Sequence, residues 1–174
     1  MIFSRKGVLI IASSKKEAIR KILASSEMVL YHFKKTNSYD KNFKTKKEAK
    51  FGSAQYLYCS TKNVDKKVYG EYCFKVTIAP NKIIDCSDFD IIKFKKELEK
   101  FNFPSYVIEL YKGINRAFNC TVFQFLYVIL KEHNDNIGNY IDAIKYKVNK
   151  TCENSEVAVF NTDCIKSVER FNEA

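Results

Sequence analysis

The order of its apolar segments constrains this chain most. Short runs of strand length come first, a helical stretch occupies the middle, and strand-length runs return at the end. Met28–Phe33 and Ala54–Ser60 are compact apolar and aromatic runs bounded by polar residues, and both predict strands. Tyr72, Phe74, Val76 and Ile78 alternate with Cys73, Lys75, Thr77 and Ala79, the period of a strand with one buried face. Pro80-Asn81 predicts a turn, and Ile83–Asp85 a further short strand. From about Asp88 to His133 the pattern turns helical: Ile91, Phe94, Leu98 and Phe101 share one helical face, and Pro104 ends that helix or opens the next. Val122–Leu130 is strongly apolar, Asn134–Asn139 is turn-rich, and Tyr140–Tyr146 predicts a strand or a short turn. Glu156–Phe160 and Ile165–Val168 are two terminal strands. Strands, then helices, then strands indicate an α+β fold rather than alternating βαβ units.

Two smaller signals complete the pattern. Thr61–Tyr69 predicts a short helix closed by Gly70 as its C-cap. Upstream, Gly7–Ala12 predicts a first strand or the lead-in to a helix. Ser14 and Glu17 then have capping-box spacing, and Ala18, Ile19, Ile22 and Leu23 recur at helical intervals through about Ser25. No repeat and no linker divides the chain. One domain is expected over residues 1–174, with 1–27 as an N-terminal strand and helix lead-in and 88–133 as a helical segment.

Composition removes whole classes. The chain is 46% hydrophobic and 14% aromatic with only 5 Gly and 2 Pro, which excludes collagen-like, low-complexity and mostly disordered readings. No apolar run approaches the roughly 18 residues of a membrane span, so no membrane partner is expected. Gly7–Ala12, after Arg5 and Lys6, is too short for a convincing signal peptide. A cytoplasmic location is expected, in the producing cell or in a target cell. The cysteines at 59, 73, 86, 120, 152 and 164 form no C-x2-C pair, and neither histidine completes a metal spacing. They read as reduced, small, buried side chains, and no metal is expected.

Charge is uneven. The formal charge is +10, yet residues 1–50 hold 13 Lys/Arg against 4 Asp/Glu whereas 101–174 hold 8 against 9. The basic character is therefore N-terminal. It raises the odds of a polyanionic partner or substrate, while a lysine-rich solvated surface is the plain reading. The lysines at 34, 35, 41, 44, 46, 47 and 50 fall between the first two long strands, in the longest loop-like stretch, 34–53.

Four residues carry candidate chemistry. His32 is one of two histidines and lies inside an apolar strand, where a polar ring needs a partner; a hydrogen-bonded core histidine is the plain reading. Glu156 heads the apolar run Val157–Phe160, either as a solubilising strand edge or as a positioned acid. Tyr58 and Tyr69 are two of 11 tyrosines. Together their segments resemble a family. Val29-Leu30-Tyr31-His32 resembles the first-strand motif of ADP-ribosyltransferases of the diphtheria-toxin and poly(ADP-ribose)-polymerase type, and Tyr56-Leu57-Tyr58-Cys59-Ser60 their second-strand motif. A further tyrosine follows there after eleven residues, which is Tyr69 here. Ser155–Asn161 with Cys164–Val168 resembles the closing segment that carries the catalytic glutamate. Ile141–Lys145 is similar to the piece preceding it in small bacterial and phage ADP-ribosyltransferase-like proteins. Phe33 stands where the family usually has Gly. Asn154, two before Glu156, places the chain nearer the His-Tyr-Glu class than the Arg-Ser-Glu class.

The resemblance implies an ADP-ribosyltransferase-like split β-sheet with a cleft for NAD, a helical insertion in the middle of the chain, and NAD as a consumed substrate. It implies Glu156 as the carboxylate that stabilises an oxocarbenium-like ribose, Tyr58 and Tyr69 as faces for nicotinamide, and His32 as a hydrogen-bond partner of a ribose hydroxyl. Phe33 would offer its backbone to the nicotinamide amide, with Ser60 beside it. No G-x-G-x-x-G occurs, so Rossmann-type binding is excluded. The expected activity is toxin- or effector-like mono-ADP-ribosyl transfer from NAD to a protein or nucleic-acid acceptor, rimmed by basic residues 34–50, with an antitoxin or inhibitor as a further partner. Two alternatives stand beside it: an NAD glycohydrolase on the same site, and a non-catalytic basic binding or inhibitor module on this fold.

Overall fold

A computed structural model describes residues 2–5, 8–11, 27–44, 52–61, 64–87, 91–112, 126–127, 129–147 and 155–172. β1 (Ile2–Arg5) and β2 (Val8–Ile11) pair antiparallel, so the described part of the first apolar run is a strand with a partner before it. The helix predicted after Ser14 lies outside the described residues. Seven further strands are β3 (Met28–Lys34), β4 (Gln55–Tyr58), β5 (Tyr72–Ile78), β6 (Ile83–Asp85), β7 (Ala143–Lys147), β8 (Ser155–Val159) and β9 (Ile165–Phe171). They form one sheet in the order β6-β7-β8-β4-β3-β5-β9. Neighbours are antiparallel except β6 and β7. With α1 (Lys66–Tyr69), α2 (Ile91–Lys100) and α3 (Ser105–Lys112), the fold class is α+β.

β6 is the strand whose place the sequence pattern does not reveal. After the turn at Pro80-Asn81 it leaves β5 and crosses to the far edge, where it pairs with β7 in parallel. Asp142 holds that crossing. Its buried carboxylate accepts from the N–H groups of Asn81 (2.8 Å) and Lys82 (3.0 Å) and from Asn161 Nδ2 (2.9 Å). Burying a carboxylate is costly unless donors replace water, and these three do. Asp142 thus ties the β5–β6 turn to the start of β7 and the end of β8.

The sheet is joined unevenly. β3 pairs with β5 along its whole length, and β4 with β8 along all of β4. Between β3 and β4 the register has a single pair, Tyr31 opposite Tyr58. Two half-sheets, β6-β7-β8-β4 and β3-β5-β9, therefore meet at one point. Beyond it, the chain at 39–43 is bound to β4 instead. Buried Gln55 places Nε2 within hydrogen-bond distance of the carbonyls of Asp40 (3.3 Å), Lys41 (2.9 Å) and Phe43 (3.2 Å), and its side-chain oxygen accepts from the Tyr39 hydroxyl. Lys44 Nζ donates to the Phe160 carbonyl at 2.6 Å. The first part of the lysine-rich stretch is therefore anchored, by its backbone carbonyls and by the Lys44 head group.

Each face of the sheet has its own core. On one, Leu98, Phe103, Val107, Leu126 and Leu130 from the helical middle pack against Ile84, Ile144, Tyr146 and Ala158. On the other, Leu30, Leu57, Phe74, Val76, Val157 and Val159 pack together with Cys164. The alternation in β5 buries Phe74, Val76 and Ile78 as its period of two requires. α1 is a single turn, shorter than predicted. Asp65 caps it by accepting from Lys67 N (3.0 Å), and Gly70 ends it with φ +122°.

Candidate functional site

Strand register decides which candidate residues meet. Side chains alternate across a strand, and directly opposed residues share a face. Tyr31 opposes Tyr58, Tyr58 opposes Glu156, and Glu156 opposes Tyr146. Four strands thus line up three tyrosines and one carboxylate on the same face, at the point where the half-sheets meet. Glu156 is 9% exposed. The Tyr146 hydroxyl donates to its Oε2.

The Tyr58 hydroxyl hydrogen-bonds both Glu156 and Tyr69. A phenol carries one proton and a carboxylate only accepts. Tyr58 therefore donates to Glu156, and its hydroxyl also meets that of Tyr69. Burial, followed by the charge of Glu156, pushes the Tyr58 and Tyr146 phenols well above their usual range. Both stay protonated and serve as donors at neutral pH. The result is a chain of hydroxyls running from Tyr69, 47% exposed, through Tyr58 to the buried carboxylate.

Tyr69 reaches this position through α1. A Cβ on Gly70 would lie 2.1 Å from the Lys34 carbonyl carbon, so the end of α1 sits directly on the Lys34–Lys35 peptide. Only glycine permits that approach together with a positive φ. The Tyr58 and Tyr69 rings touch with centroids 5.5 Å apart and planes at 63°. A third ring sandwiched between them needs about 7 Å, twice the ~3.5 Å carbon contact distance. In this arrangement Tyr69 closes the space that nicotinamide would take. Phe33 packs edge-on to Tyr58 at 6.1 Å. Ser60 is half-buried just past β4, where Cys59 N–H still bonds the Ser155 carbonyl at 2.9 Å.

His32 does not join them. It alternates with Tyr31 and Phe33 and points to the other face of β3, where its ring meets Tyr39 edge-on at 5.6 Å. It is 8% exposed, and its Nδ1 has no hydrogen-bond partner among the described residues. Burial first, and Lys34 second, push its pKa from 6.5 down to about 4. Glu156, Tyr58, Tyr69 and Phe33 are thus brought together, while His32 lies across the sheet from them. Sequence reasoning missed Tyr146. Its only signal is that Lys145-Tyr146-Lys147 sits ten residues before Ser155-Glu156-Val157, the spacing of two paired strands.

Among the described residues no cluster of His, Cys, Asp or Glu is placed to hold a metal ion, and no helix is long and apolar enough to cross a membrane. No protein-family model and no curated relative matches the chain. Among solved structures it is similar to one described as an anti-CRISPR protein, at 12% identity and a TM-score of 0.38. That match covers 86% of this chain and 98% of the other. A superposition this shallow fixes neither a fold family nor a function.

Proposed function

We propose that this chain is a cytoplasmic mono-ADP-ribosyltransferase that consumes NAD, with the split sheet as an ADP-ribosyltransferase-like core. The observation that carries the reading is the setting of Glu156. It is a buried carboxylate at the junction of two half-sheets, held by two phenols and connected to the surface through an aromatic pair. In the reaction the bond between ribose C1′ and the nicotinamide nitrogen breaks, and the electron pair leaves with nicotinamide. An acceptor nucleophile forms the new bond to C1′ and gives up its proton. Positive charge develops on the ribose meanwhile, and a fixed carboxylate in a water-poor setting stabilises it. Tyr58 and Tyr146 fix the carboxylate, and Tyr69 swings from Tyr58 to admit the nicotinamide ring. Glu156 is also the base nearest the acceptor proton.

The test uses NAD labelled on its adenylate, a cell extract, the protein and its Glu156→Gln variant, following free nicotinamide and attached label. Label on a macromolecule, lost in the variant, is the expected result. Nicotinamide release with label only on free ADP-ribose would make the protein a glycohydrolase. A variant as active as the parent would remove Glu156 from the mechanism.

A further inference from the structure

The two half-sheets share an apolar core, but apolar packing is non-directional and does not by itself set a register. Directional contacts fix it, and one set runs through Tyr39. The Tyr39 ring packs on His32 of β3 at 5.6 Å and on Phe74 of β5 at 5.4 Å, while its hydroxyl donates to the Gln55 side chain of β4. Gln55 is 1% exposed, and its amide also holds the carbonyls of Asp40, Lys41 and Phe43. Three residues, about 10 Å of strand, separate Gln55 from Tyr58. An odd offset turns the two side chains to opposite faces, so Gln55 lies across the sheet from Glu156.

The candidate site is itself divided between the half-sheets. Tyr58, Glu156 and Tyr146 stand on β4, β8 and β7, which are laddered to one another. Tyr69 stands on the other half: Gly70 seats it on the Lys34–Lys35 peptide at the end of β3, and the chain runs on into β5 at Tyr72. The contact between the Tyr69 and Tyr58 rings thus spans the junction. We infer that Gln55, acting through Tyr39 and the chain at 40–43, is the positioning residue that seats Tyr69 against Tyr58. The contacts close a circuit: Gln55 to Tyr39, Tyr39 to β3, β3 to Gly70, and Tyr69 back to Tyr58, three residues from Gln55. The seat stands on these contacts alone, and its use in holding nicotinamide rests on the transferase reading. When Tyr69 swings out and returns over a bound ring, the seat decides where it lands.

The seat is tested first without NAD, by thermal melting of the full-length protein. Tyr39→Phe keeps the ring and removes only the hydroxyl that reaches Gln55. Tyr69→Ala removes the ring that meets Tyr58. Substitutions at distant sites without a shared partner add in stability. Tyr69→Ala should lower the melting temperature by about 2–4 °C in the parent and by less than half as much in the Tyr39→Phe protein. Additive shifts, or no shift in the parent, overturn the inference. Nicotinamide release then reads the role in the site. In Tyr39→Phe the KM for NAD should rise about fivefold, the loss of roughly one aromatic contact, with kcat within about twofold because Glu156, Tyr58 and Tyr146 keep their ladder. A fall in kcat at unchanged KM, or a lowered KM, overturns the positioning role. Gln55→Met, which also frees the carbonyls at 40–43, should raise KM further; if it does not fold, Tyr39→Phe decides alone. If the parent releases no nicotinamide, the transferase reading fails, while the melting comparison still decides whether Gln55 seats Tyr69.

Discussion

Glu156 and His32 are buried to the same degree beside the same narrow junction, and their surroundings could hardly differ more. Glu156 faces two phenolic donors and a route to the surface; His32 faces a tyrosine ring and has an Nδ1 with no partner. A carboxylate is far too costly to bury bare, so the fold must supply donors if the carboxylate is to stay. A neutral imidazole tolerates burial at smaller cost, and the depressed pKa of His32 keeps it neutral. One side chain is supplied with hydrogen-bond donors and the other is packed as a ring.

The largest expected effect lies on the Glu156 side. Glu156→Gln keeps the shape and an amide oxygen for the two phenols, yet removes the charge. Nicotinamide release should fall by about 10²-fold or more, with the melting temperature little changed. A smaller loss, or one explained by unfolding, would break the comparison at its stronger end.

Gly70→Ala comes next. It strains a residue at φ +122° and drives a methyl group into the Lys34 carbonyl. Stability should drop by about 1–3 kcal/mol, and activity more than stability, because Tyr69 is displaced from Tyr58 while His32 is untouched. Thermal melting beside nicotinamide release measures both. Tyr146→Phe is the milder probe. It removes one donor from a buried acceptor, a cost of about 1–3 kcal/mol, and should lower the turnover rate about tenfold with the KM for NAD unchanged. An altered KM with normal turnover would make Tyr146 a packing residue.

How much of this was legible beforehand follows from what alternation can carry. The period of two in β5, the strand around Tyr58 and the one after Glu156 all lie in the residues themselves. The pairing of Tyr58 with Tyr69 came only with the family resemblance, in which a tyrosine follows eleven positions after the first; nothing in the residues between them sets it. Faces were harder. His32 sits one position from Tyr31, and one residue of register decides which of the two opposes Tyr58. Nothing local to Val29–Phe33 sets that register; it is fixed by β5 and by the Gln55 contacts with the chain at 40–43. The crossing of β6 was hidden for the same reason, since its partner lies some sixty residues away and depends on Asp142.

The smallest expected effect at neutral pH, and the sharpest discrimination, belongs to His32→Leu. If His32 serves the reaction, the variant loses activity; if it is a packed ring across the sheet, nicotinamide release stays within about twofold of the parent. Stability at pH 7 should change by about 1 kcal/mol or less, because the variant removes an unpartnered buried nitrogen. Acid separates the two proteins further. The imidazole binds its proton near 6.5 in the unfolded chain but only near 4 in the folded one. The unfolded state therefore takes up the proton first. The parent keeps its full stability above pH 6.5 and loses it as the pH falls towards 4, by about 3 kcal/mol at ~1.4 kcal/mol per pKa unit. His32→Leu has no such proton to bind, so its denaturation midpoint should hold over that window while the parent's declines. Parallel declines would mean that His32 finds a partner in solution and is not the bare ring that its place beside Tyr39 makes it.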